Sequence, residues 1–107
     1  MVRYYRLDDR NVPQLLRGEI EYYRWLASLD KSRRTVVHVI VAQEEVGKVF
    51  IGTYFLGCDY YCKVAGHLWQ TMVYHGEDKL MTVSYDCHAD AIMGHRSFVE
   101  KFCNPCR

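Results

Sequence analysis

The stretch from His67 to Asp86, HLWQTMVYHGEDKLMTVSYD, constrains this chain more than any other. Two apolar-rich runs, each about as long as an ordinary strand, flank the polar centre His75-Gly76-Glu77-Asp78. A short loop carrying Gly between two such runs predicts a β-hairpin. Alternation sorts the first strand into Trp69, Thr71 and Val73 against Leu68, Gln70, Met72 and Tyr74. The rest of the chain must lie against this hairpin or pair with its edges.

Upstream, Lys48 to Gly57 predicts a strand with Val49, Ile51, Thr53 and Phe55 on one side and Phe50, Tyr54 and Leu56 on the other. Thr35 to Ala42, TVVHVIVA, is β-branched on both faces and reads as a central, doubly covered strand. His38 within it reads as a packed core histidine. Val2 to Leu7 is an edge strand or a lead-in, and Asp8-Asp9-Arg10-Asn11 a turn. Pro13 suits the first turn of a helix capped by Asn11 or the Asp pair. The stripe Leu15, Leu16, Ile20, Tyr22, Tyr23, Leu26, Ala27 and Leu29 predicts that this helix runs from Gln14 to about Leu29. Gly18 weakens its first turn by about 1 kcal/mol relative to Ala. Trp25 falls off the centre of the stripe.

After Asp86, Ala89 to Phe102 predicts a closing helix with Ile92, His95, Val99 and Phe102 on one side. Asp86 and Asp90 near its start and Lys101 near its end match the helix dipole, and Asn104-Pro105 stops it. The expected fold class is α+β: an antiparallel sheet of about four strands with an N-terminal and a C-terminal helix packed on one face. All 107 residues fit one domain.

Composition excludes several classes. Net charge is +1, from 14 Lys and Arg against 13 Asp and Glu. That argues against direct nucleic-acid binding through overall charge and against an acidic mimic of nucleic acid. No apolar run approaches the roughly 20 residues of a membrane span. The opening MVRYYRLDDR has no apolar h-region, so a cytoplasmic protein is expected. Five cysteines without a secretory signal read as thiols or metal ligands rather than a disulfide framework. Nine tyrosines, several in adjacent pairs, suit interfaces.

The segments Phe55-Leu56-Gly57-Cys58-Asp59 and Trp69-Gln70-Thr71-Met72-Val73-Tyr74, with Gly94-His95 followed by Val99, resemble a family of small, mostly uncharacterised proteins of tailed bacteriophages. There a strand ending like V-F-L-G-x-D-H leads into a loop, a second strand reads like F-E-T-M-V-F, and a closing helix carries G-H. Glu21 and Trp25 fall in roughly corresponding places in the upstream helix. The resemblance covers most of the chain and implies a phage or prophage source, in which case the protein works in the host cytoplasm. It lends no activity. Gln70 stands where the family usually has Glu, and Tyr60 where it has His or Asn. If Glu, Asp and His formed a catalytic set, this chain would keep Asp59 and His95 and lose the Glu, and a neutral amide cannot serve as general acid or base. The plainer reading is a buried hydrogen-bond network tying hairpin to helix.

The sharpest local motif is Cys103-Asn104-Pro105-Cys106, half of many structural zinc sites. Cys58 and Cys62 offer a second half, and four thiolates would make a closed tetrahedral zinc staple. Cys87-His88 and nearby His67 supply further ligands. No cofactor is required, and free thiols are the alternative. C-x-x-C redox chemistry belongs at a helix N-terminus, whereas this motif follows a helix C-terminus. There is no Gly-rich phosphate loop, H-E-x-x-H or G-x-S-x-G.

The irregular segment from Cys58 to Gly66 is where a binding site belongs, with Tyr60 and Tyr61 as anchors. Lys31, Arg33 and Arg34 form the one basic cluster, either a solvated loop or a contact for an acidic partner. The expectation is a non-catalytic phage-type accessory protein that binds a host protein or ribonucleoprotein complex. Its most specific form is an inhibitor of a bacterial defence system, such as an anti-CRISPR that blocks a Cas protein. The alternatives are a small-ligand or nucleotide binder that sequesters a signal, a small zinc-stapled interaction module, and an enzyme using Asp59 and His95. Each is compatible with a homodimer formed through a strand edge or a tyrosine face.

Overall fold

The computed structural model describes residues 2–103. In chain order the elements are β1 (Tyr5–Leu7), β2 (Pro13–Leu15), α1 (Glu19–Ser28), β3 (Val39–Val46), β4 (Val49–Phe55), β5 (Trp69–His75), β6 (Asp78–Tyr85) and α2 (His88–Cys103). Single 3-10 turns stand at Lys31–Arg33 and Asp59–Tyr61. Strands β3 to β6 form an antiparallel meander in sequence order, and β1 pairs with β2 in a separate two-stranded sheet. The fold is the α+β arrangement expected, with both helices on one face of the sheet.

The hairpin folds as its pattern requires. Strands β5 and β6 pair from Trp69 opposite Tyr85 to His75 opposite Asp78, and Gly76, at φ 62°, makes the turn. One residue beyond the turn is extra: Tyr74 faces Lys79 and Val73 faces Met81, so Leu80 is left over and exposed.

Two expectations are corrected. Pro13 to Leu15 is not the first turn of a helix but strand β2, registered on β1 with Leu7 opposite Pro13. Asp8 organises the turn between them, its carboxylate accepting the amides of Arg10 at 2.8 Å and Val12 at 3.0 Å. Asn11 adopts φ 61°, a conformation Asn tolerates better than most residues. The helix waits until Glu19, after Gly18. Its buried stripe is correspondingly narrow, Tyr22 and Leu26, with Ile20 exposed.

Strand β3 is an edge strand, not a central one. The segment before it turns back on itself, because the Thr35 amide donates to the His38 carbonyl at 2.8 Å. Val39 faces the helices opposite Phe55, and a register shift between Ile40 and Ala42 inserts Val41, which also packs on the core. That bulge makes an edge strand look apolar on both faces.

The core gathers Tyr22 and Leu26 of α1, Val39, Phe55, Leu68, Trp69 and Ala91 of α2. Trp25 covers its edge, its ring edge-on to Phe55 at 6.4 Å. Two glycines permit the close packing. At Gly57, φ 72°, a Cβ would run into the ring of Tyr22. At Gly94 it would run into Tyr85, so the glycine lets α2 settle against β6.

Candidate functional site

The turn Asp59–Tyr61 opens the irregular segment after β4, and the N-terminal segment fastens it. The Arg3 amide donates to the Asp59 carboxylate at 2.8 Å, and the Asp59 amide returns a bond to the Arg3 carbonyl at 3.0 Å. The Arg3 guanidinium lies 3.7 Å from the same carboxylate. Tyr5 donates its amide to Gly57 at 2.7 Å, and Tyr4 bridges Cys58. A loop held by this many backbone bonds presents its side chains from a fixed base.

On that base Tyr60 and Tyr61 stand 5.4 Å apart, ring edge to ring face. Tyr60 is 73% exposed and Tyr61 44%. Tyr61 meets His38 edge-on at 5.2 Å, and His38 in turn lies 6.4 Å from Tyr54 on the sheet. His38 directs Nδ1 at the Leu56 carbonyl at 3.2 Å, and burial pulls its pKa below the ordinary histidine value. An imidazole therefore wedges the loop against the sheet. Sequence pattern placed His38 in the core; its bond to Leu56 and its contact with Tyr61 depend on chain folding between distant segments.

The same loop walls a cleft of about 460 Å³, lined by Arg3, Tyr5, Asp59, Cys62, Gly66 and Leu68 among others. Burial, with the Asp59 carboxylate beside it, pushes the Cys62 thiol up to about 11. Cys62 is therefore a protonated thiol at neutral pH.

The basic cluster does not act as a unit. The Asp30 carboxylate accepts the Ser32 amide at 3.2 Å, while Arg34 donates Nε to the Leu29 carbonyl at 3.1 Å and ties off α1. Lys31 and Arg33 are exposed. Arg33 lines a second cleft, of about 530 Å³, with Trp25, His88, Asp8 and Asp9.

Among the described residues, Cys58, Cys62 and Cys103 do not converge. Cys58 is buried, Cys62 half-buried with its thiol 3.8 Å from the Cys58 carbonyl, and Cys103 exposed at the end of α2. Cys106 lies outside the described residues. The one set of three ligand atoms within 4.8 Å of each other, among the described residues, is Asp86, Cys87 and Asp90, all exposed.

Asp59 and His95 are engaged separately, Asp59 with Arg3 and His95 in the sheet interior. His95, 3% exposed, sits with Nδ1 2.7 Å from the Thr53 hydroxyl and Nε2 3.0 Å from the Glu44 carboxylate. The Thr53 and Thr71 hydroxyls are 2.6 Å apart. Glu44 can only accept, so Nε2 carries a proton; in the neutral ring Nδ1 then accepts from Thr53, which accepts from Thr71. This is the network tying hairpin to helix, built from Thr71 rather than Gln70, which faces the other side of the sheet. A hydroxyl, an imidazole and a carboxylate in line have the order of a hydrolytic triad. Thr53 is fully buried, however, so the array leaves a substrate no approach. The signal for it was two threonines, Thr53 and Thr71, at the centres of two otherwise apolar strand faces.

No protein-family model, curated protein or solved structure matches this chain. Among the described residues no helix is long and apolar enough to cross a membrane.

Proposed function

We propose that this is a non-catalytic binding protein of the kind tailed phages carry, acting on a protein or ribonucleoprotein surface of the bacterial host. Its most specific form is an inhibitor of a defence system, such as an anti-CRISPR that occupies a Cas protein. The observation that carries this reading is the Tyr60–Tyr61 pair: exposed, yet mounted on a loop latched by Arg3 and wedged by His38. Aromatic anchors held in their bound geometry lose little entropy on docking and dominate binding energy when they enter pockets. Near-neutral net charge favours a protein contact over a nucleic-acid one.

The test is plating of a targeted phage on CRISPR-immune cells that express the chain, paired with gel filtration against the purified Cas effector at micromolar concentration. The expected result is restored plating and a co-eluting complex, both lost in the Tyr60→Ala/Tyr61→Ala variant with its fold intact. A chain that protects no phage and co-elutes with no defence complex overturns the proposal.

A second reading has its own observation, the cleft walled by the same loop. Its volume falls in the range of small-molecule sites, and Arg3, Asp59 and Tyr5 offer charge and hydrogen bonds. Native mass spectrometry of freshly purified protein separates the two, since a sequestered ligand, or a zinc ion, adds its mass to the chain.

A further inference from the structure

The helix-free face of the sheet carries a pattern that pairs with itself. Side chains directly opposite one another across neighbouring strands share a face. The register sets Glu45 opposite Phe50, Phe50 opposite Tyr74, and Tyr74 opposite Lys79, so these four form one row across β3, β4, β5 and β6. The next row on that face is Gln43, Gly52, Met72 and Thr82. Helix α2 lies on the other side, where His95 meets Thr53 and Glu44. Tyr54 lies down over Gly52, held by the Gln43 amide at 2.9 Å, and His38 and Tyr61 close over its far end. The two rows nearer the β3–β4 and β5–β6 turns have no helix over them among the described residues. Phe50, Met72 and Tyr74 remain part-exposed there.

The first row reads acid, aromatic, aromatic, base. Strands are about 4.8 Å apart, so its ends stand roughly 14 Å from each other and cannot pair within one chain. Neither Glu45 nor Lys79 has an ion-pair partner among the described residues. A twofold axis parallel to the strands, passing between β4 and β5, would lay β3 of one copy over β6 of the other. Glu45 would then face the second copy's lysine, Phe50 its tyrosine, Tyr74 its phenylalanine and Lys79 its glutamate. In the second row Gln43 would come over the second copy's Thr82. Every position in the first row thus meets its chemical complement under one operation, as an isologous interface demands.

We infer that the helix-free face is the contact of a homodimer, in which two sheets pack face to face with Glu45 of each copy against Lys79 of the other. The occupant is a second copy of this chain because the charge order is complementary to itself. Two twisted sheets stacked in this way keep their strands within about 30° of each other, which leaves the end pairs within reach of long side chains. The dimer does not depend on what the Tyr60–Tyr61 loop binds.

The test is a charge swap read by sedimentation velocity over about 1 to 100 μM in low salt. The wild type is expected to sediment as a dimer. Glu45→Lys and Lys79→Glu each set two like-charge contacts across the interface and are expected to raise the dimer Kd about tenfold or more. The double variant Glu45→Lys/Lys79→Glu restores both contacts and is expected to return to within about threefold of wild type. Both positions are exposed, so the variants keep the fold, and far-UV circular dichroism checks this. A wild-type monomer throughout the range overturns the inference. So does a dimer indifferent to both single reversals, which places the contact at a strand edge or on the tyrosine loop, or one that the double variant fails to rescue.

Discussion

His95 Nδ1 lies 2.7 Å from the Thr53 hydroxyl, and this contact joins the closing helix to the middle of the sheet. With Thr71 beyond it and Glu44 on the other side, a polar line crosses a face otherwise largely apolar. Fully connected polar lines of this kind fix one packing of a helix on a sheet, because any other docking strands a buried donor or acceptor.

Replacing Thr53 with Val keeps the shape and removes the hydroxyl, leaving Nδ1 of a buried imidazole unpaired. The expected loss is about 1 to 3 kcal/mol in urea unfolding. Thr71→Val in that background should cost less than Thr71→Val alone, since its partner is already gone. Strict additivity in the double-mutant cycle would mean that the line does not act as a unit.

Gly57 and Tyr22 make a second pair open to test. Ala at Gly57 must hold φ near 72° and displace the Tyr22 ring, so Gly57→Ala is expected to cost about 2 kcal/mol or more. Tyr22→Phe removes the 2.6 Å bond that the Tyr22 hydroxyl donates to the Val37 carbonyl, at about 1 kcal/mol. Equal small effects in thermal melts would contradict this packing.

Stability should rise with pH between about 5 and 7. Burial lowers the pKa of His38 and of His88 below 6.5, the value expected in the unfolded chain. Between the two values the unfolded chain holds a proton that the folded one does not. Unfolding is therefore favoured as pH falls, and the full stability returns above about 6.5. Asp8, held low by the amides of Val12 and Arg10, acts in a separate window below its ordinary 3.8. The urea midpoint should be higher at pH 7.5 than at pH 5, and a His38→Gln/His88→Gln variant should narrow the gap.

Thiol labelling should be ordered by position. At pH 7.5 iodoacetamide is expected to reach Cys87 and Cys103 first, since both are exposed. Cys62 should lag because its thiol is pushed up to about 11, and Cys58 because it is buried. Peptide mass mapping with and without urea reads the order. Early modification of Cys58 would mean that the latch between Arg3 and Asp59 opens in the native protein.

The hairpin, β4 and α2 could be read from the sequence because each carries its own period and its own punctuation: Gly76 in the turn, acids at the start of α2. Strand β3 could not be placed, since Val39, Ile40 and Val41 are apolar whether the strand is central or an edge with a bulge. Pro13 and Leu15 misled for a different reason. Their pairing with β1 is local in sequence but rests on the Asp8 turn, which the helical stripe concealed. Of the site, the exposure of Tyr60 and Tyr61 followed from an irregular loop. The wedge of His38 and the latch of Arg3 did not, because both join residues far apart along the chain.

The latch bears on the order in which the molecule is made. Strand β1 leaves the ribosome ahead of Gly57, Cys58 and Asp59, which secure it and follow some 50 residues later. At ribosomal synthesis rates that delay is roughly 3 to 10 s. Until then β1 has only β2 to pair with, and a two-stranded ribbon alone is marginal in water. The β3–β6 meander joins neighbours in sequence and forms without waiting, whereas the tyrosine loop stays slack until β1 and the residues before it are drawn back to it. A segment made early is thus among the last to be set, and the tyrosine loop is set with it.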